Sequence, residues 1–400
     1  MSIISSNLDR IKASPTRAIS ARAAELQREG KDVIALAAGE PDFDTPEHVC
    51  EAAIAAMRAG ETKYAPQGGI PELREAICRK LEKENGLSYQ PSQTMVTTGG
   101  KEALYCGFMA SLEEGDEVII PAPYWVSYPD MVLLGSGTPV IVDTDAEAGF
   151  VLRPDALAAA ITPKTKWLLL NNPGNPSGCL MDREQVEALA DVLRANPHVW
   201  VMTDDIYEHV LYDDNAFHSI GAIAPDLQDR SLVINGLSKA YCMTGWRLGY
   251  AAGPQNLINA MMKVQSQSTS CASTISQFAG FAALEGDQSF IAENNKVFQE
   301  RRDLALSILN QSSGLSCSAP GGAFYLYVNC AGTLGKKTPS GETIENDEDF
   351  VRYLLNDELV AGVHGAAFGM SPYFRISYAL ATDQLEEACL RIQRACGALS

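Results

Sequence analysis

The stretch Ser231-Leu232-Val233-Ile234-Asn235-Gly236-Leu237-Ser238-Lys239-Ala240-Tyr241-Cys242-Met243-Thr244-Gly245-Trp246-Arg247-Leu248-Gly249-Tyr250 decides the architecture. Its β-branched, apolar opening reads as a buried strand. Lys239 therefore emerges at a strand end, where open α/β sheets place their ligands. Small neighbours let a flat ligand come close. Arg247 follows with a planar fork suited to phosphate. An amine poised beside a phosphate grip is what a pyridoxal-phosphate Schiff base requires.

Outward from this segment, short apolar runs alternate with helical patterns between about residues 45 and 295. The spacing predicts strands over 94–98, 117–121, 139–143, 167–171, 199–203, 231–235 and 248–252. Thr45-Pro46-Glu47 reads as a capped helix start with an early proline, and Pro71-Glu72-Leu73 as another. Strands alternating with helices imply a mostly parallel sheet covered on both faces. A long helical region over 271–310 precedes a change of character. The runs 322–328 and 373–378 read as strands of a second, smaller α+β unit, and 332–349 as a surface loop between them. An N-terminal strand, 33–37, is expected to pack with that unit.

Four hundred residues exceed one small core, so two domains are expected. No run is long and apolar enough to span a membrane, and the first ten residues lack a secretory apolar core, so the expected location is the cytoplasm. A net charge of -19 argues against nucleic acid and anionic membranes as partners. The ten cysteines form no Cys-x-x-Cys pair, and most read as small buried hydrophobes in a reducing compartment. The five histidines are dispersed, so no metal site is expected.

Three further segments leave strand ends. In Gly99-Gly100-Lys101-Glu102 the backbone N–H groups of a helix start can take a phosphate, and with Ser238 and Arg247 they would complete a cup. Gly135-Ser136-Gly137 is the nearest dinucleotide-like string, but Val140 stands where a third glycine belongs. Asn171-Asn172-Pro173-Gly174-Asn175-Pro176-Ser177-Gly178 is a rigid turn whose asparagine could bond a ring hydroxyl. Thr203-Asp204-Asp205-Ile206-Tyr207 offers the carboxylate that a protonated pyridine nitrogen needs, from either aspartate.

These motifs, in this order over nearly the whole chain, resemble the class I aminotransferases. Lys239 matches that family's signature lysine, with Cys242 slightly off the pattern. The resemblance implies a fold-type I pyridoxal-phosphate-dependent transferase, α/β in class. Its large domain holds a mixed, mostly parallel sheet sandwiched by helices, and a smaller α+β domain accompanies it. By that resemblance residues 1–44 form an N-terminal arm and part of the small domain, 45–295 the large cofactor-binding domain and 296–400 the small domain. Lys239 would carry pyridoxal 5'-phosphate and later act as general base. The Asp-x-x-Tyr spacing assigns Asp204 to the ring nitrogen and Tyr207 to O3′, with Asn175 also on O3′. Gly100, Lys101, Ser238 and Arg247 would surround the phosphate, and Trp125 would stack on the ring. Tyr64 would reach the cofactor of a partner subunit, which implies a homodimer. Arg375 would clamp the substrate α-carboxylate, with Gly39 approaching it through the backbone.

The bacterial aspartate aminotransferase branch is the nearest likeness. There Lys101, helped by Thr16, would bind the side-chain carboxylate, and Lys12 occupies a position linked to acceptance of prephenate. Ala13 and His364 depart from the usual prolines. The implied reaction moves the amino group between L-aspartate and 2-oxoglutarate. An aminotransferase of aromatic or other amino acids, a lyase on the same fold and a non-catalytic cofactor-binding module are the rival readings.

Overall fold

The computed structural model describes residues 3–400. Twelve strands form in chain order: β1 Ile34–Ala35, β2 Thr94–Thr97, β3 Glu117–Ala122, β4 Thr138–Asp143, β5 Thr165–Asn171 and β6 Trp200–Asp204, then β7 Ser231–Gly236, β8 Gly249–Ala252, β9 Tyr325–Asn329, β10 Val360–Ala361, β11 Val363–His364 and β12 Tyr373–Ser377. Each of the seven strands expected between residues 94 and 252 is present, with ends shifted by at most two residues.

Those seven make one sheet in the order β2-β8-β7-β6-β5-β3-β4. Only β8 runs antiparallel to both its neighbours; the other pairings are parallel. Every residue of β7 is buried, as a central strand covered on both faces must be. The covering helices are amphipathic. Arg183–Ala195 buries Val186, Leu189, Ala190 and Leu193, spaced along one face, and starts in a reciprocal cap between Asp182 and Gln185.

The smaller unit is an antiparallel sheet, β11-β12-β9, packed on helices Ser289–Leu309 and Thr382–Ala398. β1 pairs in parallel with β10, Ile34 opposite Val360, so the N-terminal segment joins the C-terminal region as expected. Tyr207, Val210 and Tyr212, which follow β6, are buried in that same apolar cluster. The chain after β6 therefore ties the large sheet to the smaller unit.

Four local expectations are corrected. Thr45 does not cap the helix Glu47–Arg58; its hydroxyl donates to the Cys242 carbonyl at 2.6 Å and accepts from the Trp246 indole, and Pro46 holds the cap position. The 271–310 region is two helices, Thr274–Glu285 and Ser289–Leu309, because the chain turns extended at Gly286. The segment 332–349 is more than a surface loop. Ile344 and Asp347 are buried, and the Asp347 carboxylate accepts from the Ala366 N–H and the Ser371 hydroxyl. Finally, five rather than most of the cysteines are fully buried; the others are partly covered, and all ten are free thiols.

Candidate active site

Sheet register brings the chemistry together. Asn171 lies opposite Asp204, and Asp204 opposite Ile234, so three parallel strands end level. The loop after β7 carries Ser238 and Lys239 over this edge. Antiparallel β8 starts at Gly249, just after Arg247, and its partner β2 leads into Gly99 and Gly100. A Cβ on Gly249 would stand 2.4 Å from the Gly100 nitrogen, so this approach requires glycine.

One cleft of about 450 Å³ results. Lys239, Asp204, Tyr207, Asn175, Ser238 and Arg247 line it, as do Gly100, Lys101 and Trp125. Thr16, Gly39 and Arg375 complete it from the N-terminal segment and the smaller unit. Two expected residues lie outside. Lys12 is exposed, and its backbone N–H donates to Asp130. Tyr64 is 92% exposed and holds nothing within its own chain's cleft.

The two central titratable groups are shifted in opposite directions. Burial lowers the Lys239 amine to about 8; Glu40 opposes this, and Arg375 and Arg247 add to it. Its Nζ donates to the Gly39 carbonyl at 2.5 Å. Burial raises the Asp204 carboxyl to about 6, against the hydrogen bond from Tyr128 and the nearby Lys239. The Tyr128 hydroxyl donates to Asp204 Oδ2 at 2.7 Å, and Asn171 Nδ2 holds the Asp204 carbonyl at 2.7 Å. At neutral pH the pair thus offers a carboxylate and an amine with an appreciable neutral fraction. Asp205, the rival carboxylate, points elsewhere: it accepts from the Thr203 hydroxyl, and burial and then Glu208 push its carboxyl well above the usual range.

Arg375 is 2% exposed, yet it forms no ion pair among the described residues. Its Nη1 donates to Asn175 Oδ1 at 2.8 Å and its Nη2 to the Ala37 carbonyl at 2.7 Å. Nε is buried without a partner among the described residues. The guanidinium lies 4.5 Å from the Tyr325 ring centre and 4.9 Å from that of Phe368. A cation so enclosed and so incompletely bonded suits an anionic ligand with two oxygens. Beside it, the Tyr207 and Tyr325 hydroxyls meet at 2.7 Å.

The donor set also fits a flat, phosphate-bearing aldehyde. Helix Gly100–Ser111 begins at the cleft, and Gly99, with φ 81°, would bring a Cβ to 2.9 Å from Arg247 Nη2. The left-handed backbone at Gly99 favours glycine and keeps the helix start bare beside the guanidinium. Among the described residues Arg247 uses one donor, to the Thr244 carbonyl, and the rest of its fork suits a phosphate. The Trp125 ring presently faces the Lys101 ammonium, 4.5 Å from its centre.

Behind the cleft stands a polar cluster that the sequence did not reveal. Lys80, 5% exposed, pairs with Glu208, 4% exposed, and also donates to Asn85 at 2.7 Å. Asn235, on the strand leading to Lys239, donates to Glu208 at 2.6 Å. His209 bonds Glu84 at 2.8 Å on the outer side. Burial pushes the Glu208 carboxyl up, but Lys80 and His209 outweigh it and leave it below the usual range. Glu84, Glu208 and His209 are close enough together to hold a cation, and the Lys80 ammonium takes that role.

The family described as Aminotransferase class I and II matches residues 31–392. A probable aspartate/prephenate aminotransferase of Rhizobium leguminosarum bv. phaseoli is 56% identical over 398 residues, covering all of both chains. An aspartate/prephenate aminotransferase of Cereibacter sphaeroides is 54% identical over 400 residues, again covering both fully. Among solved structures, the aspartate aminotransferase of Rhizobium meliloti superposes with a TM-score of 0.97 at 52% identity over the whole of both chains. The Thermus thermophilus aspartate aminotransferase with maleate gives 0.92 at 43% identity, covering 99% of this chain and 100% of that one.

Proposed function

Because the chain belongs to the class I and II aminotransferase family, we propose that its cleft transfers the amino group between L-aspartate and 2-oxoglutarate on pyridoxal 5'-phosphate, with prephenate as a further acceptor. Full-length likeness to relatives named aspartate/prephenate aminotransferase and aspartate aminotransferase supports this reading. The observation that carries the assignment of the site is the meeting of Lys239, Asp204 and Arg375 in one cleft.

When bound, the cofactor supplies an electron sink for the bond broken at the substrate Cα. The residues supply the rest. Lys239 would hold the cofactor's aldehyde carbon and, once freed by substrate, move the proton from Cα. An amine pKa near 8 keeps part of the population neutral at physiological pH. Asp204, ionised above about pH 6, would keep the ring nitrogen protonated. Tyr207 and Asn175 would hold the ring hydroxyl, and Trp125 would stack on the ring. Gly100, Ser238 and Arg247 would bind the phosphate. Arg375 would take the substrate α-carboxylate with Gly39 alongside, and Lys101 with Thr16 the distal one. Movement of residues 296–400 toward the 45–295 domain would exclude water. A homodimer is part of the proposal, since Tyr64 needs a partner subunit's cofactor to have a role.

Purified, cofactor-loaded protein given aspartate and 2-oxoglutarate should form oxaloacetate and glutamate in equal amounts, and Lys239→Ala should not. Decarboxylated or eliminated product without glutamate would instead establish the lyase reading.

A further inference from the structure

The cleft contains a cation that neither the signature motifs nor the residues assigned above explain. Arg17 stands in the first turn of helix Pro15–Arg28 and lines the same space as Arg375 and Lys101. Among the described residues only its backbone N–H has a partner, the Ser14 hydroxyl. Among the described residues no acid pairs with Arg17 or with Lys101, in a chain of net charge -19. Among the described residues Lys101 bonds only the Ser127 hydroxyl, at 3.2 Å, and rests over Trp125. Burial and then Arg17 and Arg247 lower its amine, so the cations already act on one another. Glu40, the other charged group of opposite sign that lines the cleft besides Asp204, accepts from the Thr244 hydroxyl at 2.8 Å. Both side chains are exposed to solvent along the cleft lining, and two cations on one wall make a positive field there that favours an anionic ligand.

We propose that Arg17 is a specificity-determining residue that binds, together with Lys101, the distal carboxylate of four- and five-carbon dicarboxylic substrates. This rests on the proposed transamination. The guanidinium adds planar, two-pronged recognition that the Lys101 ammonium lacks. An uncharged substrate side chain would gain nothing from it.

The test compares Arg17→Ala and Arg17→Lys with the parent protein in two measurements. In the first, single-turnover reaction of cofactor-loaded protein with L-aspartate should lose efficiency by roughly tenfold in Arg17→Ala. Reaction with L-alanine should change by less than about twofold, and Arg17→Lys should fall between. In the second, calorimetric binding of the inert dicarboxylate succinate should weaken in parallel, while butyrate binding should not. Equal losses for both substrate classes, or no loss for aspartate and succinate, would overturn the proposal. If the parent protein fails to transaminate aspartate, the proposed function falls, and the succinate comparison still judges Arg17.

Discussion

Replacing Tyr128 by Phe isolates the least visible contact in the site. The change deletes one hydroxyl, 2.7 Å from Asp204 Oδ2, and leaves a buried ring of nearly the same shape. A hydrogen bond to a charged group contributes about 1.5–3 kcal/mol. At about 1.4 kcal/mol per pKa unit, losing it moves the Asp204 carboxyl from about 6 up by roughly one to two units. The bond favours the ionised form, so its loss favours the proton. Cofactor binding uses the ionised form, so affinity should fall as pH falls, and in the variant it should fall from a higher pH. The assay is fluorescence titration of apoprotein with pyridoxal phosphate between pH 5 and 9, for parent and variant. Titration of the free ligand is common to both and cancels in the ratio. That ratio should reach roughly 5- to 50-fold at pH 6 and shrink to within about twofold at pH 9. A ratio constant across the range would refute the coupling between Tyr128 and Asp204, however weakly the variant binds.

Other perturbations address neighbouring features. Lys80→Met should lower the unfolding free energy by about 3–5 kcal/mol by stranding Glu208 without its cation. The double change Lys80→Met, Glu208→Met should recover most of it; a single change costing under about 1 kcal/mol in denaturant melts contradicts this. Gly99→Ala forces a side chain onto φ 81° and against Arg247, with strain of about 1–3 kcal/mol. Both the thermal midpoint and the cofactor dissociation constant should worsen, and an unchanged dissociation constant would remove Gly99 from the phosphate site. Arg375→Lys keeps the charge but loses the fork. Efficiency with aspartate should drop by about 100-fold, whereas simple charge recognition would leave it within about threefold.

Much of this was written locally in the chain. β7, Lys239 and Arg247 fall within one segment, so strand, amine and phosphate grip could be read together. Asp204 and Tyr207 carry their own spacing. The residues that tune them do not. Tyr128 lies 76 positions from Asp204, and Lys80 lies 128 from Glu208. Hydrophobic periodicity reports which face of an element is covered, not what covers it. Nothing in the local sequence singled out Tyr128 or Lys80. Tyr325 was visible only as one aromatic in a strand, although its hydroxyl meets that of Tyr207. Thr45 shows the converse error: a residue with the right local signature was drawn away by a carbonyl 197 positions distant.

The amine of Lys80 pairs with Glu84 and Glu208, the two acids that His209 also meets, while tethered to its own helix. An ion held there from solution would come and go with its concentration. A covalently attached cation arrives with the polypeptide and cannot be stripped by a chelator or exchanged for a competitor. The floor beneath Asp205 and Asn235 is thereby assembled in the act of folding, and its integrity owes nothing to the metal supply of the cell.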